Sequence, residues 1–225
     1  MNKLIVGVGT GRCGTKSLVR LLDQQPATCA THERYEDHVR WNCPKNLWPL
    51  RLWHDAVSEV EAEGPQSDAR VQAEVALHWT PHIRTLLEWA DRDERPLRVV
   101  GLKRGREETI DSYMRWKPDA DHWSYHAHRL QPIDDWDHCY PPAVEAESKR
   151  EAIGLFWDRV YSSLEAIEDE RVSVFRTEDL NTEGGVRSIL GHCGYEDPVV
   201  DVGIQIQAPT IEDARNSTQW ENGPS

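Results

Sequence analysis

The stretch Leu4-Ile5-Val6-Gly7-Val8-Gly9-Thr10-Gly11-Arg12-Cys13-Gly14-Thr15-Lys16-Ser17-Leu18 reads as an apolar strand that passes through a glycine-rich loop into a helix. Glycine lets the backbone turn tightly and come close to a ligand with no Cβ in the way. The first N–H groups of the helix lack intrahelical partners and point out of its end, so the junction forms a cradle for an anion, with phosphate as the expected occupant. Arg12 and Lys16 bring positive charge to it, and Thr15 and Ser17 bring hydroxyl donors.

The spacing separates three uses of such a loop only in part. A nucleotide triphosphatase needs Gly-x4-Gly-Lys-Ser/Thr, whereas here Thr15 stands between Gly14 and Lys16-Ser17. The dinucleotide pattern Gly-x-Gly-x-x-Gly fits Gly9, Gly11 and Gly14, and Glu33 falls near the place of a ribose-binding acid. The run from Gly9 to Leu18 also closely resembles the 5′-phosphosulfate loop of sulfotransferases, where a basic residue, here Arg12, precedes a small residue and Gly-Thr.

A second motif follows in Leu97-Arg98-Val99-Val100-Gly101-Leu102-Lys103-Arg104, a strand that ends in basic residues, and in Gly105-Arg106-Glu107-Glu108-Thr109-Ile110-Asp111-Ser112-Tyr113, the helix after it. Arg104 and Ser112 stand eight residues apart, which resembles the sulfotransferase 3′-phosphate motif. The guanidinium offers a bidentate fork to phosphate, and the serine, two turns into the helix, offers a hydroxyl. Neither rival loop family gives these two residues a task. A weaker likeness runs through Val172-Ser173-Val174-Phe175-Arg176-Thr177-Glu178-Asp179-Leu180, similar to a late family strand and read as structural, and through the helix after it, with Val186, Ile189, Leu190 and Cys193 on one face and its end at Gly194.

The resemblance implies an α/β three-layer sandwich around a central, mostly parallel sheet, the P-loop-NTPase-like sulfotransferase fold. It implies in-line transfer of a sulfuryl group from 3′-phosphoadenosine 5′-phosphosulfate, the co-substrate, to a hydroxyl or amine of a small-molecule, lipid or glycan acceptor. In that scheme Gly11, Arg12, Cys13, Gly14, Thr15, Lys16 and Ser17 hold the 5′-group, with Thr15 and Ser17 on the phosphate itself. Arg12, assisted by Lys16, meets charge on the leaving oxygen, and Arg104 and Ser112 hold the 3′-phosphate. No metal is required. The base that takes the acceptor proton is Glu33, just past the second strand as in glycan-modifying members, or His78, near the place of the histidine in phenol and steroid enzymes. His32 is a further candidate. The rival functions are a Rossmann-type dinucleotide-binding oxidoreductase built on Gly9, Gly11, Gly14 and Glu33, and a nucleotide-binding module without turnover.

Composition sets outer bounds. The 225 residues suit one domain over the whole chain, 1–225, with no boundary, repeat or low-complexity run. A net charge of −13 argues against nucleic acid and against a long anionic polysaccharide. No apolar run reaches transmembrane length and the first strand starts at once, so a cytoplasmic protein is expected. The oligomeric state is not legible. Cys13, Cys29, Cys43, Cys139 and Cys193 are odd in number and lack Cys-x-x-Cys spacing, which favours reduced thiols over disulfides or a zinc ribbon, with Cys13 a packing residue. In His122-Trp123-Ser124-Tyr125-His126-Ala127-His128, His122 and His126 stand one helical turn apart, but no Cys or Glu completes a ligand set, and contact with the acceptor is the preferred reading. Trp41, Trp48, Trp53, Trp116, Trp123 and Trp136 concentrate in two irregular stretches, where they either close the core or stack on an acceptor ring.

The expected course is strand 3–8, helix 14–24, strand 27–32, a helix near 49–62, an extended segment near 72–78, helix 81–91, strand 97–103 and helix 106–116. A long connection over 117–145 and helix 146–168 follow, the latter with Ile153, Phe156, Trp157, Val160, Tyr161, Leu164 and Ile167 at three- and four-residue spacing as core.

Overall fold

The computed structural model describes residues 3–33, 70–115 and 146–202. Strand β1, Lys3–Gly9, lies at the centre of the sheet because its apolar residues point both ways. Leu4, Val6 and Val8 enter one core layer and Ile5 the other. Helix α1, Thr15–Asp23, lays Leu18, Leu21 and Leu22 on the Ile5 side. Strand β2, Thr28–His32, is only half-buried, as an edge strand should be.

Strand β3, Val71–Val75, leads into a tight 3₁₀ turn at Leu77–His82 and then helix α2, Ile83–Arg92. Strand β4, Leu97–Lys103, and helix α3, Arg106–Arg115, carry the second motif. Helix α4, Lys149–Glu165, strand β5, Val172–Arg176, a 3₁₀ turn at Thr177–Asn181 and helix α5, Glu183–His192, complete the order.

The sheet runs β2-β3-β1-β4-β5, and every pairing in it is parallel. Residues of α2, α3 and α4 cover one face, around Leu4, Val6 and Val8; α1 and α5 cover the other, around Ile5, Val75 and Val100. The architecture is therefore the expected three-layer α/β sandwich. Its strand order differs from that of the dinucleotide-binding fold, in which the second strand lies directly beside the first. Here β3 separates β1 from β2.

Several boundaries move for local reasons. The extended segment stops at Val75, and the following helix is preceded by a 3₁₀ turn that contains Pro81, whose missing N–H suits a helix entry. Helix α4 begins at Lys149 rather than 146 because Ser148 caps it: its Oγ accepts from the Glu151 N–H at 3.2 Å. It ends at Glu165 instead of 168. The expected helix near 49–62 and the connection over 117–145 lie outside the described residues.

Candidate active site

β1 and β4 pair in register up to Gly9 beside Leu102, so the loop after β1 and the turn after β4 leave the sheet side by side. This is the carboxyl edge of a parallel sheet, where ligands of open α/β folds bind. The chain enters the loop through Gly11 at φ 73° and Arg12 at φ 55°, and leaves it through Gly14 at φ 92°. Arg12 carries a Cβ in this left-handed region at a cost of about 1–2 kcal/mol. Gly14 is required for a second reason: a Cβ there would stand 3.2 Å from both Leu180 Cδ1 and Thr177 Cγ2.

Every carbonyl of the loop accepts a hydrogen bond. Tyr113 OH donates to Thr10 O. Thr10 Oγ1 donates to Gly11 O at 3.0 Å, and Arg104 Nη1 donates to Arg12 O at 3.2 Å. Thr177 Oγ1 donates to Cys13 O at 2.8 Å, and the Leu18 N–H donates to Gly14 O at 3.0 Å. The partners come from α3, from Thr10 itself, from the end of β4, from the turn after β5 and from α1, and together they fix the peptides of the loop. Gly14 caps α1 with no side-chain bond, so the N–H groups of the first helical turn keep their capacity to receive an anion.

The clamp is itself braced. Tyr161 OH donates to Leu102 O at 2.6 Å and lies 3.4 Å from Thr10 Oγ1. Trp157 Nε1 donates to Arg104 O at 3.0 Å. Both aromatics pack in the core as expected, yet each also places its polar hydrogen at the site. Sequence reading took these residues as core alone and Thr177 as merely structural. The signal that could have found them is their type: the polar hydrogens of Tyr, Trp and Thr packed against the sheet need partners, and loop carbonyls supply them.

The structure brings the two phosphate-type motifs together. Arg12 Nε donates to Ser112 Oγ at 3.2 Å, and Ser112 is buried on α3. Arg104, besides holding the Arg12 carbonyl, donates from Nε to Glu108 Oε2 at 3.3 Å. Burial lowers the Arg12 pKa; Tyr113 opposes that shift, and Arg104 and Arg115 reinforce it. The Arg12 guanidinium therefore feels the positive charge of both Arg104 and Arg115.

Glu33 and His32 end β2 on the same edge. His32 Nε2 lies 3.0 Å from Thr15 Oγ1, in the first turn of α1, and His32 Nδ1 lies 3.7 Å from Glu33 Oε2. Glu33 has φ 51°, and its N–H donates to Val75 O at 3.2 Å, which ties the turn to β3. Burial lowers the His32 pKa, Glu33 raises it and Lys16 lowers it. Lys16 and Ser17 lie in the same first turn as Thr15. His78 falls in the turn after β3, but its side chain lies outside the described residues.

Cys13 is fully buried, and burial pushes its thiol up to about 11, as befits packing rather than nucleophilic chemistry. Among the described residues there is no cluster of three or more His, Cys, Asp or Glu side chains placed to hold a metal. His122, His126 and His128 lie outside them, as do Trp41, Trp48, Trp53, Trp116, Trp123 and Trp136. No helix among the described residues is long and apolar enough to cross a membrane.

No protein-family model matches the chain, and no curated protein matches it. Solved structures do. A sulfotransferase from Alicyclobacillus acidocaldarius superposes with a TM-score of 0.52 at 17% identity, over 98% of this chain and 91% of that one. The sulfotransferase domain from the curacin biosynthetic pathway superposes with a TM-score of 0.45 at 12% identity, over 99% of both chains. On the first of these the chain has the sulfotransferase fold.

Proposed function

We propose that the protein is a sulfotransferase that moves a sulfuryl group from 3′-phosphoadenosine 5′-phosphosulfate to a hydroxyl or amine of a small-molecule, lipid or glycan acceptor. One observation carries the reading. Arg12 and Ser112, a hundred residues apart, meet at 3.2 Å, so the loop after β1 and the helix after β4 form one basic cluster. A donor with phosphates at both its 5′ and 3′ positions gives each motif a partner, which neither a dinucleotide nor an ordinary adenylate does. The sulfotransferase fold agrees with it.

The N–H groups of the loop and of the first turn of α1 receive the 5′-phosphate, with the Thr15 and Ser17 hydroxyls. Arg104 and Ser112 receive the 3′-phosphate. The acceptor oxygen or nitrogen attacks sulfur in line, the bond from sulfur to the 5′-phosphate oxygen breaks, and Arg12 and Lys16 stabilise the charge that develops there. Glu33 takes the acceptor proton, with His78 the other candidate. The protein supplies position and charge, and the chemistry needs no metal. We further propose that the chain is a single cytoplasmic domain.

Thermal denaturation with adenosine 3′,5′-bisphosphate tests the donor. At a hundredfold excess over its dissociation constant the bisphosphate adds about 2.7 kcal/mol to stability, while NAD and NADP add nothing. Stabilisation by NAD or NADP and not by the bisphosphate overturns the reading. A module without turnover binds the bisphosphate equally well but transfers no sulfate from the full donor.

A further inference from the structure

The chain of contacts Glu33, His32, Thr15 runs from the end of β2 to the first turn of α1 through three side chains, and counting its hydrogens constrains what happens when an anion arrives. A threonine hydroxyl has one proton to give, and a neutral imidazole has one N–H and one lone pair. His32 Nδ1 faces the Glu33 carboxylate at 3.7 Å, and Nε2 faces Thr15 Oγ1 at 3.0 Å. With no anion bound, the favoured arrangement puts the proton on Nδ1, toward the carboxylate, and lets Nε2 accept from the Thr15 hydroxyl. The other neutral tautomer would aim a lone pair at Glu33.

A phosphate at the first turn of α1 upsets this arrangement. Thr15 turns its one proton to the phosphate oxygen, and the Nε2 lone pair is then left facing the oxygen lone pairs of Thr15. A proton on Nε2 resolves the conflict: the imidazolium donates to Thr15 on one side and forms an ion pair with the Glu33 carboxylate, 3.7 Å away, on the other.

We propose that His32 is a positioning residue that takes up one proton from solvent when phosphate binds at α1, and so couples donor binding to the carboxylate of Glu33. The proposal rests on the sulfotransferase reading only for the identity of the phosphate, the 5′-group of the donor. The groups that face His32 among the described residues are Glu33 on its own strand end and Lys16 from α1. From β3 its register partner is Val75. The next residue, Glu74, lies on the opposite face of β3, where its Oε2 accepts from Thr31. Burial lowers the His32 pKa in the free protein, and the incoming anion acts in the same direction as Glu33, toward the charged ring.

The consequence for pH has a definite sign. Phosphate affinity rises as pH falls through the His32 pKa of the liganded protein, by about tenfold per pH unit, and levels off below the lower pKa of the free protein.

Calorimetric titration with adenosine 3′,5′-bisphosphate and, separately, with inorganic pyrophosphate, each in buffers of different ionisation enthalpy between pH 6 and 8, counts the protons. The wild-type protein is expected to take up close to one more proton than His32→Gln in the window between the two pKa values, the ligand's own protons cancelling in the difference. In wild-type protein labelled with ¹⁵N-histidine, one imidazole should pass from the neutral to the doubly protonated nitrogen pattern on saturation, a readout that does not depend on the variant folding. Bisphosphate binding with equal uptake in both proteins and no histidine transition overturns the proposal and leaves the donor reading standing. Pyrophosphate binding with His32-dependent uptake, while the bisphosphate fails to bind, upholds the proposal and overturns the donor. Failure of both ligands overturns both.

Discussion

Arg104 donates from Nη1 to the carbonyl oxygen of Arg12 at 3.2 Å, so the side chain that closes β4 holds a peptide of the loop that follows β1. The same guanidinium is the candidate ligand of a 3′-phosphate, and the two roles separate by measurement. In Arg104→Ala the bisphosphate loses a charge-assisted contact, about 1.5–3 kcal/mol or roughly 10- to 150-fold in affinity. Adenosine 5′-phosphate loses only the indirect support of the loop, a few-fold. Equal weakening of both ligands would show that Arg104 serves the loop alone.

Thr177 stands on the turn after β5 and donates to Cys13 O at 2.8 Å, 164 residues away in the chain. Thr177→Val keeps the shape and removes the donor, leaving a loop carbonyl short of its partner. The expected loss of stability is about 1–3 kcal/mol by urea denaturation, together with weaker bisphosphate binding as the Cys13 peptide turns. If both quantities stay at their wild-type values, the clamp on the loop carbonyls does not shape the anion site.

These two contacts mark where the sequence stops being readable. β1, its loop and α1 were legible because apolar residues, glycines and helical spacing act within a few residues of one another. Arg104 and Ser112 were legible as a spacing, and each touches Arg12 in the loop. The strand order was not legible, since nothing local to β2 says that β3 will insert between it and β1. Nor were the hydrogen bonds of Tyr113, Tyr161, Trp157 and Thr177, each made across more than fifty residues; the periodicity of Trp157 and Tyr161 marked them only as core, and Thr177 read only as structural. His32 ranked behind Glu33 and His78 on position alone, yet its ring reaches Thr15 in α1.

Alkaline pH should destabilise the protein through its buried thiols. Burial pushes Cys13 up to about 11 and Cys193 up to about 12, whereas an unfolded cysteine ionises near 9. A raised acid pKa favours the fold while the group is neutral, so this contribution is intact below pH 9 and is lost as pH climbs toward the folded values. The slope is at most about 1.4 kcal/mol per pH unit for each thiol. Urea denaturation at pH 8, 9, 10 and 11 should show it, with a shallower slope in the Cys13→Ala, Cys193→Ala double variant. Parallel slopes would assign the alkaline loss to other groups.

The base is settled by two isosteric changes. Glu33 follows β2, with its carboxylate 3.7 Å from His32 Nδ1, whose ring reaches Thr15 in the first turn of α1. Glu33→Gln keeps the size of the side chain and its capacity to hydrogen-bond but removes its ability to take a proton. Bisphosphate affinity should change by no more than a few-fold while turnover falls by about 10²- to 10⁴-fold. His78→Asn is the control and should retain most of its turnover. If the asparagine variant is dead and the glutamine variant nearly normal, the proton goes to His78. If bisphosphate affinity collapses in Glu33→Gln, the carboxylate belongs to nucleotide binding, acting through His32 and Thr15, and another group takes the acceptor proton.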